Sequence, residues 1–172
     1  HGVAAGPMGP VVSELAKLPK SDVRAMAVYL ASLNGGVDAA PATGSPATPA
    51  PTAQAGVSAQ ALSNGQRVFE GSCQGCHADG LGPTLFGVSP SLANNTNVHS
   101  ALPDNLIKVI QQGISKPATP DLGYMPGFKD SLSDTQISDL SAYLRSRFAP
   151  NEPQWTGLQE KVAYLKANPG SH

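Results

Sequence analysis

The chain has 172 residues, 40% of them hydrophobic and only 13% charged, with a formal net charge of −1. That is too little charge for a solvating tail or a nucleic-acid surface, and the length suits one ordinary domain with attachments. Aromatic residues make up only 5%, so a core of this size needs other filling, and a large flat cofactor would supply it.

Before residue 37 the pattern is helical. Val11, Val12, Leu15 and Leu18 form a short stripe, which Pro19 breaks. Ser21 or Asp22 then suits the cap of a second helix with Val23, Met26, Leu30 and Leu33 on one face, ended by Asn34-Gly35-Gly36. Two such short helices bury too little to stand alone. Residues 37–57 are an Ala/Pro/Thr run with one charge and no apolar period, a linker biased towards extended conformations.

Residues 58–72 predict a first main helix, with Ser58 as cap. Residues 79–101, rich in Gly, Pro, Asn and Ser, read as loop. A second helix follows over 103–113, with Asp104 early, Gly113 at its end and Leu106, Ile107, Val109 and Ile110 as its apolar face. Residues 115–131 are loop again. Ser133 or Asp134 caps a third helix running to about Arg147, with Ile137, Leu140, Tyr143 and Leu144 on one side. In the tail, 149–172, Trp155, Leu158, Val162 and Leu165 are spaced as one helical face. That face suits either packing on the chain's own surface or docking to a partner subunit or membrane interface. Three helices joined by such long loops need something to organise them.

No apolar run is long enough to cross a bilayer. No signal peptide is visible, and the chain starts at His1, as a processed or truncated product would. An internal repeat is present at one fixed offset: Leu18, Val23, Met26, Tyr29 and Leu30 match Leu132, Ile137, Leu140, Tyr143 and Leu144. Met8-Gly9-Pro10 likewise precedes the first set, as Met125-Pro126 precedes the second. The front segment therefore reads as the back end of a second copy of the main domain.

The two cysteines lie in Cys73-Gln74-Gly75-Cys76-His77. A disulfide between them would close a tiny loop and add little stability. On a helical turn both sulfurs point the same way, each able to add to one vinyl group of a haem, and the adjacent His faces the iron. Three other readings stay open at this point. A zinc site needs four ligands, and Cys73, Cys76 and His77 give three, with His99 a fourth at an unfamiliar spacing. A redox pair wants a strand–helix context, and a chance match on a surface helix is the third. For a haem, Met125 is the candidate sixth ligand, in the loop Gly123-Tyr124-Met125-Pro126-Gly127-Phe128. A core Met would instead sit on a helical stripe, as Met26 does. His/Met ligation raises the reduction potential and leaves no open iron position, which suits electron transfer.

In these residues the chain resembles class I cytochromes c over about 58–148. The resemblance implies an all-α fold of three main helices and long loops wrapped around one covalent haem c. It implies that Gly65 and Phe69 pack against the terminal helix at Tyr143. It also implies that the carbonyl of Pro90, in Pro90-Ser91-Leu92, accepts from the His77 ring, with Pro83 as the alternative and Leu92 beside it in the pocket.

The front remnant (1–36), the linker (37–57) and the tail (149–172) resemble the C-terminal part of three-haem cytochrome subunits of membrane-associated bacterial alcohol, aldehyde, gluconate or nicotinate-type dehydrogenases. That resemblance implies a non-catalytic electron carrier on the periplasmic side of the inner membrane. It would take electrons from a catalytic subunit, alongside preceding cytochrome domains, and pass them to quinone or a terminal oxidase. Met8 would be axial to a preceding haem only if the rest of that domain is present. The alternatives from other classes are a haem-based sensor with an open sixth site and a small zinc-binding interaction module.

Overall fold

The computed structural model describes residues 11, 14–33, 56–77, 92–93, 95–115 and 124–169. The linker up to residue 55, the caps expected at 34–36 and the loop at 79–91 lie outside them. The described residues are helical, with a single isolated bridge between Ile114 and Met125.

The first helix, α1, spans Lys20–Leu33. Its ladder opens on the Pro19 carbonyl, which accepts from Asp22 at 3.0 Å and Val23 at 3.2 Å. Pro19 thus starts the helix in place of Ser21 or Asp22, because a residue with no N–H of its own loses nothing there. None of its residues is buried.

Helix α2, Ala59–Ser72, starts at Ser58, whose hydroxyl accepts from the Ala61 N–H at 3.1 Å. It buries Leu62, Gly65 and Phe69, spaced three and four apart on one face. A single turn, α3 (Gln74–His77), follows directly. Helix α4 is the short piece Thr96–His99 within the segment expected to be loop. It is capped by Asn95 Oδ1, which accepts from Asn97 N–H at 3.0 Å.

Helix α5 spans Asp104–Gln112 and ends at Gly113, where φ is +70°. Helix α6 spans Asp134–Phe148 and opens with a full capping box: Ser133 Oγ accepts from the Gln136 N–H while Gln136 Oε1 accepts from the Ser133 N–H. Helix α7, Leu158–Ala167, follows Gly157 at φ +64°.

Helix α6 is the hub and touches α2, α4, α5 and α7. Helix α7 of the tail packs on two of the expected three helices, α5 and α6. Trp155, Leu158, Val162 and Leu165 belong to the same apolar core as Phe69, Ile107 and Leu140. That face is spent on α5 and α6, so the docking reading of the tail fails for it. Two ion pairs hold the tail in register, Lys161 with Asp104 at 3.2 Å and Lys166 with Asp134 at 3.0 Å.

The tail also changes α5. Beyond the expected apolar face, Lys108 and Gln111 are buried. Gln111 donates to the Val162 carbonyl at 3.0 Å, while the Lys108 ammonium has no hydrogen-bond partner among the described residues.

Candidate functional site

The pentapeptide sits where α2 ends. Cys73 closes that helix, its N–H donating to the Phe69 carbonyl at 2.9 Å. The Cys73 carbonyl then accepts from Cys76 at 3.1 Å and from His77 at 2.9 Å. Both thiols and the imidazole are thus carried on one turn anchored to α2. The thiols are not joined to each other. Cys73 is half-buried against the core, Cys76 is exposed and His77 is half-buried.

Burial first, and the neighbouring Cys76 second, push the Cys73 thiol up to about 11. A redox-active thiol needs the opposite shift, because the thiolate is the nucleophile. Nor do these residues gather into a metal cluster: among the described residues no three His, Cys, Asp or Glu side chains converge. His99, the possible fourth ligand of the zinc reading, has its Nε2 2.8 Å from the Ala93 carbonyl.

Behind this turn lies the crossing of α2 and α6. A Cβ placed on Gly65 would stand 2.1 Å from the Asp139 carbonyl oxygen and 2.7 Å from Tyr143 Cβ. Only a residue without a side chain allows the helices this close. Phe69 then meets Tyr143, with ring centroids 5.6 Å apart and planes tilted by 44°. Phe148 meets Phe69 as well, with ring centroids 5.8 Å apart and planes tilted by 59°. These tilted contacts suit the ring quadrupoles. The Arg147 guanidinium lies 5.4 Å from the Phe69 ring and 5.3 Å from the Phe148 ring, and donates to Tyr143 Oη at 2.6 Å. Leu92 is buried in the same core as Phe69 and Tyr143.

Met125 stands on another part of the chain, half-buried and paired by its backbone with Ile114. Pro90, its alternative Pro83, and Met8 lie outside the described residues.

Two thiols and an imidazole on one turn, set at the edge of an apolar core, fit a covalently held haem c. Val68, Ala93, Phe128 and Leu132 are partly buried hydrophobics packed on that core, an apolar border of the kind a flat macrocycle needs.

Sequence reasoning missed one buried polar centre, Arg145. It is only 2% exposed. Its Nη1 donates to the Val98 and Ser100 carbonyls at 2.5 and 3.1 Å, and its Nε to Pro153 at 2.9 Å. Its guanidinium lies 4.4 Å from the Trp155 ring centroid, and Trp155 Nε1 donates to the Ser100 carbonyl at 3.1 Å. Arg145 thereby ties α6, the α4 segment and the tail together. An Arg near a helix C-terminus reads in sequence as dipole compensation, so no signal marked it.

The family model for "Cytochrome C oxidase, cbb3-type, subunit III" matches residues 60–144, which include the pentapeptide, Met125 and Tyr143. All 172 residues align at 66% identity with a subunit of the nicotinate dehydrogenase of Pseudomonas putida, covering 14% of that protein. The fructose dehydrogenase cytochrome subunit of Gluconobacter japonicus is 30% identical over 86% of this chain and 34% of its own length. Cytochrome c6 of Synechococcus elongatus is 31% identical over 56% of this chain and 98% of its own length. The chain thus spans well under half of either dehydrogenase relative and nearly all of the small cytochrome.

Proposed function

The chain belongs to the cytochrome c family, and we propose that it carries electrons on a single haem c bonded through Cys73 and Cys76, with His77 and Met125 as axial ligands. The Cys73–His77 segment carries this reading, because it bears two thiols and an imidazole on one turn at the edge of an apolar core. When bound, the haem supplies an iron that moves between two oxidation states by one electron.

The protein's part is to hold and shield that group. Thioether bonds keep it in a loop-rich domain that has little else to retain it. The Gly65 crossing and the Phe69–Tyr143–Phe148 cluster make α2 a rigid base for the attachment turn. Leu92 adds apolar wall, and the cytochrome resemblance implies the Pro90 carbonyl as the acceptor for the His77 ring. A thioether from Met125 would take the sixth position and leave the iron no site for an outside ligand, which suits one-electron transfer with little reorganisation.

In a larger protein this domain would take electrons from a catalytic dehydrogenase subunit and pass them to quinone or a terminal oxidase, on the periplasmic side of the membrane. Substrate chemistry lies in the partner. Residues 1–36 would then be the end of a preceding cytochrome domain, with Met8 axial to its haem only if the rest of that domain is present, and 37–57 the linker between the two. The dehydrogenase names of the relatives support the assignment, as does the exposed α1 face.

The test is the spectrum and mass of the haem-loaded chain. Denatured protein retains the mass of one haem, and the oxidised protein shows the weak far-red band of iron–thioether bonding, which Met125→Ala abolishes. A high-spin native spectrum, or carbon monoxide binding to the reduced native protein, overturns the carrier in favour of a ligand-binding sensor. Stoichiometric zinc without Soret absorption overturns the haem.

A further inference from the structure

The segment bearing Met125 is laid across the C-terminal end of α5. Ile114 and Met125 exchange both backbone hydrogen bonds, at 2.8 Å from Ile114 N–H to the Met125 carbonyl and 3.1 Å in return, the closely spaced pair of an antiparallel bridge. The chain then crosses back over the helix. Phe128 N–H donates to the Ile110 carbonyl at 2.9 Å and Lys129 N–H to the Gln111 carbonyl at 3.1 Å. These carbonyls belong to the last turn of α5, where the helix itself supplies no donor for them. Four bonds therefore fix the backbone at Met125 and just after it.

Two glycines make this crossing close. A Cβ on Gly113 would stand 2.4 Å from the Met125 carbonyl oxygen, 2.5 Å from Gly127 N and 2.6 Å from the Pro126 carbonyl carbon. A Cβ on Gly127 would stand 2.8 Å from Gln111 O, Gln112 C and Gln112 O. Every atom met is backbone, so no side chain can rotate away. Ordinary contact begins near about 3.5 Å, so any side chain here must push the two strands apart by roughly 1 Å. Gly113 also holds φ at +70°, a conformation that L side chains seldom adopt.

We infer that Gly113 and Gly127 are positioning residues for the sixth haem ligand. Their interlock sets how far the Met125 backbone stands from α5, and with it how firmly the thioether holds the iron against competing ligands. This rests on Met125 being that ligand. The interlock lies apart from the attachment turn, so disturbing it leaves the covalent haem in place.

The test uses the haem-loaded full chain with Gly127→Ala and Gly113→Ala, and Gly71→Ala as control, since Gly71 lies outside the attachment turn and a Cβ on it meets nothing within 4 Å. The readouts are the far-red band, the affinity of the ferric protein for imidazole, and the reduction potential. Gly127→Ala is expected to keep the covalent haem, weaken the far-red band, tighten imidazole binding at least tenfold and lower the potential. Gly113→Ala does the same more strongly, and Gly71→Ala matches the native protein.

Imidazole affinity within twofold of native in Gly127→Ala, alongside a lowered unfolding midpoint, makes the interlock merely structural and overturns the inference. Should neither glycine variant fold, the native ferric protein decides. The limiting rate of imidazole entry should equal the opening rate of the Met125 and Phe128 amides from hydrogen exchange, and faster entry overturns the inference. Failure of the ligation itself reads differently: the native far-red band is then absent, or survives Met125→Ala.

Discussion

Helices α1 and α6 carry one pattern and meet opposite fates. Leu18, Val23, Met26, Tyr29 and Leu30 repeat as Leu132, Ile137, Leu140, Tyr143 and Leu144. Yet Tyr143 is fully buried while Tyr29 is 64% exposed, and Leu144 is 4% exposed against 59% for Leu30. The stripe is the same; the partner differs. Helix α6 has α2, brought into backbone contact at Gly65. No described helix covers the matching face of α1. An amphipathic pattern thus states that a helix needs a partner, and the partner's own shape decides whether burial is realised. Each large apolar side chain so buried contributes about 1.5–3 kcal/mol, so the difference between the two helices is worth several such terms.

Substitutions at matched positions test this contrast. The largest effect falls on Tyr143→Ala, which leaves a hole beside Phe69 and removes the Arg147 hydrogen bond. It should cost about 3–5 kcal/mol in denaturant unfolding of the haem-loaded chain, the range for truncating a core aromatic. A loss below about 1 kcal/mol would mean that the α2–α6 crossing collapses freely and is not the rigid base described.

Gly65→Ala comes next. The new methyl meets the Asp139 carbonyl, which cannot turn aside, and the helices must part. A cost of about 1–3 kcal/mol is expected from overpacking. The Asn64–Asp139 side-chain bond, at 3.1 Å, should loosen with it, seen as faster exchange of amides in α2. A stabilised variant would sink the close-approach argument, since Ala is otherwise the better helix former.

Tyr29→Ala is the smallest, within about 0.5 kcal/mol, as for surface positions generally. The comparison sharpens in a longer protein that carries a preceding cytochrome domain. There the same substitution should approach the cost of Tyr143→Ala, and continued neutrality would count against residues 1–36 being the end of such a domain.

The local features were legible because local rules govern them. Ser58 and Ser133 read as caps from side-chain chemistry alone, and both accept the expected backbone N–H. Gly113 read as a helix end, and it is one. Cys73, Cys76 and His77 fall on a single turn, as their spacing requires. Pro19 did not read as the start of α1, because a proline before a helix serves equally as breaker and as opener. Trp155, Leu158, Val162 and Leu165 read as one face, but periodicity carries no address: the same stripe suits a membrane, a partner or the chain itself. The structure assigns it to α5 and α6.

Arg145 and Gly127 had no local signal at all. Arg145 is buried only because three distant carbonyls and Trp155 converge on it. Gly127 matters only because the end of α5 passes within contact of it. By itself, then, the sequence determined what depends on neighbours along the chain: the caps at Ser58 and Ser133, the attachment turn and the loop character of Met125. Only the tertiary structure decided which faces find partners, how closely α2 approaches α6, and how the Met125 segment is locked to α5. Those outcomes depend on atoms brought together from far apart in sequence, where sterics and desolvation act and no periodicity can report them.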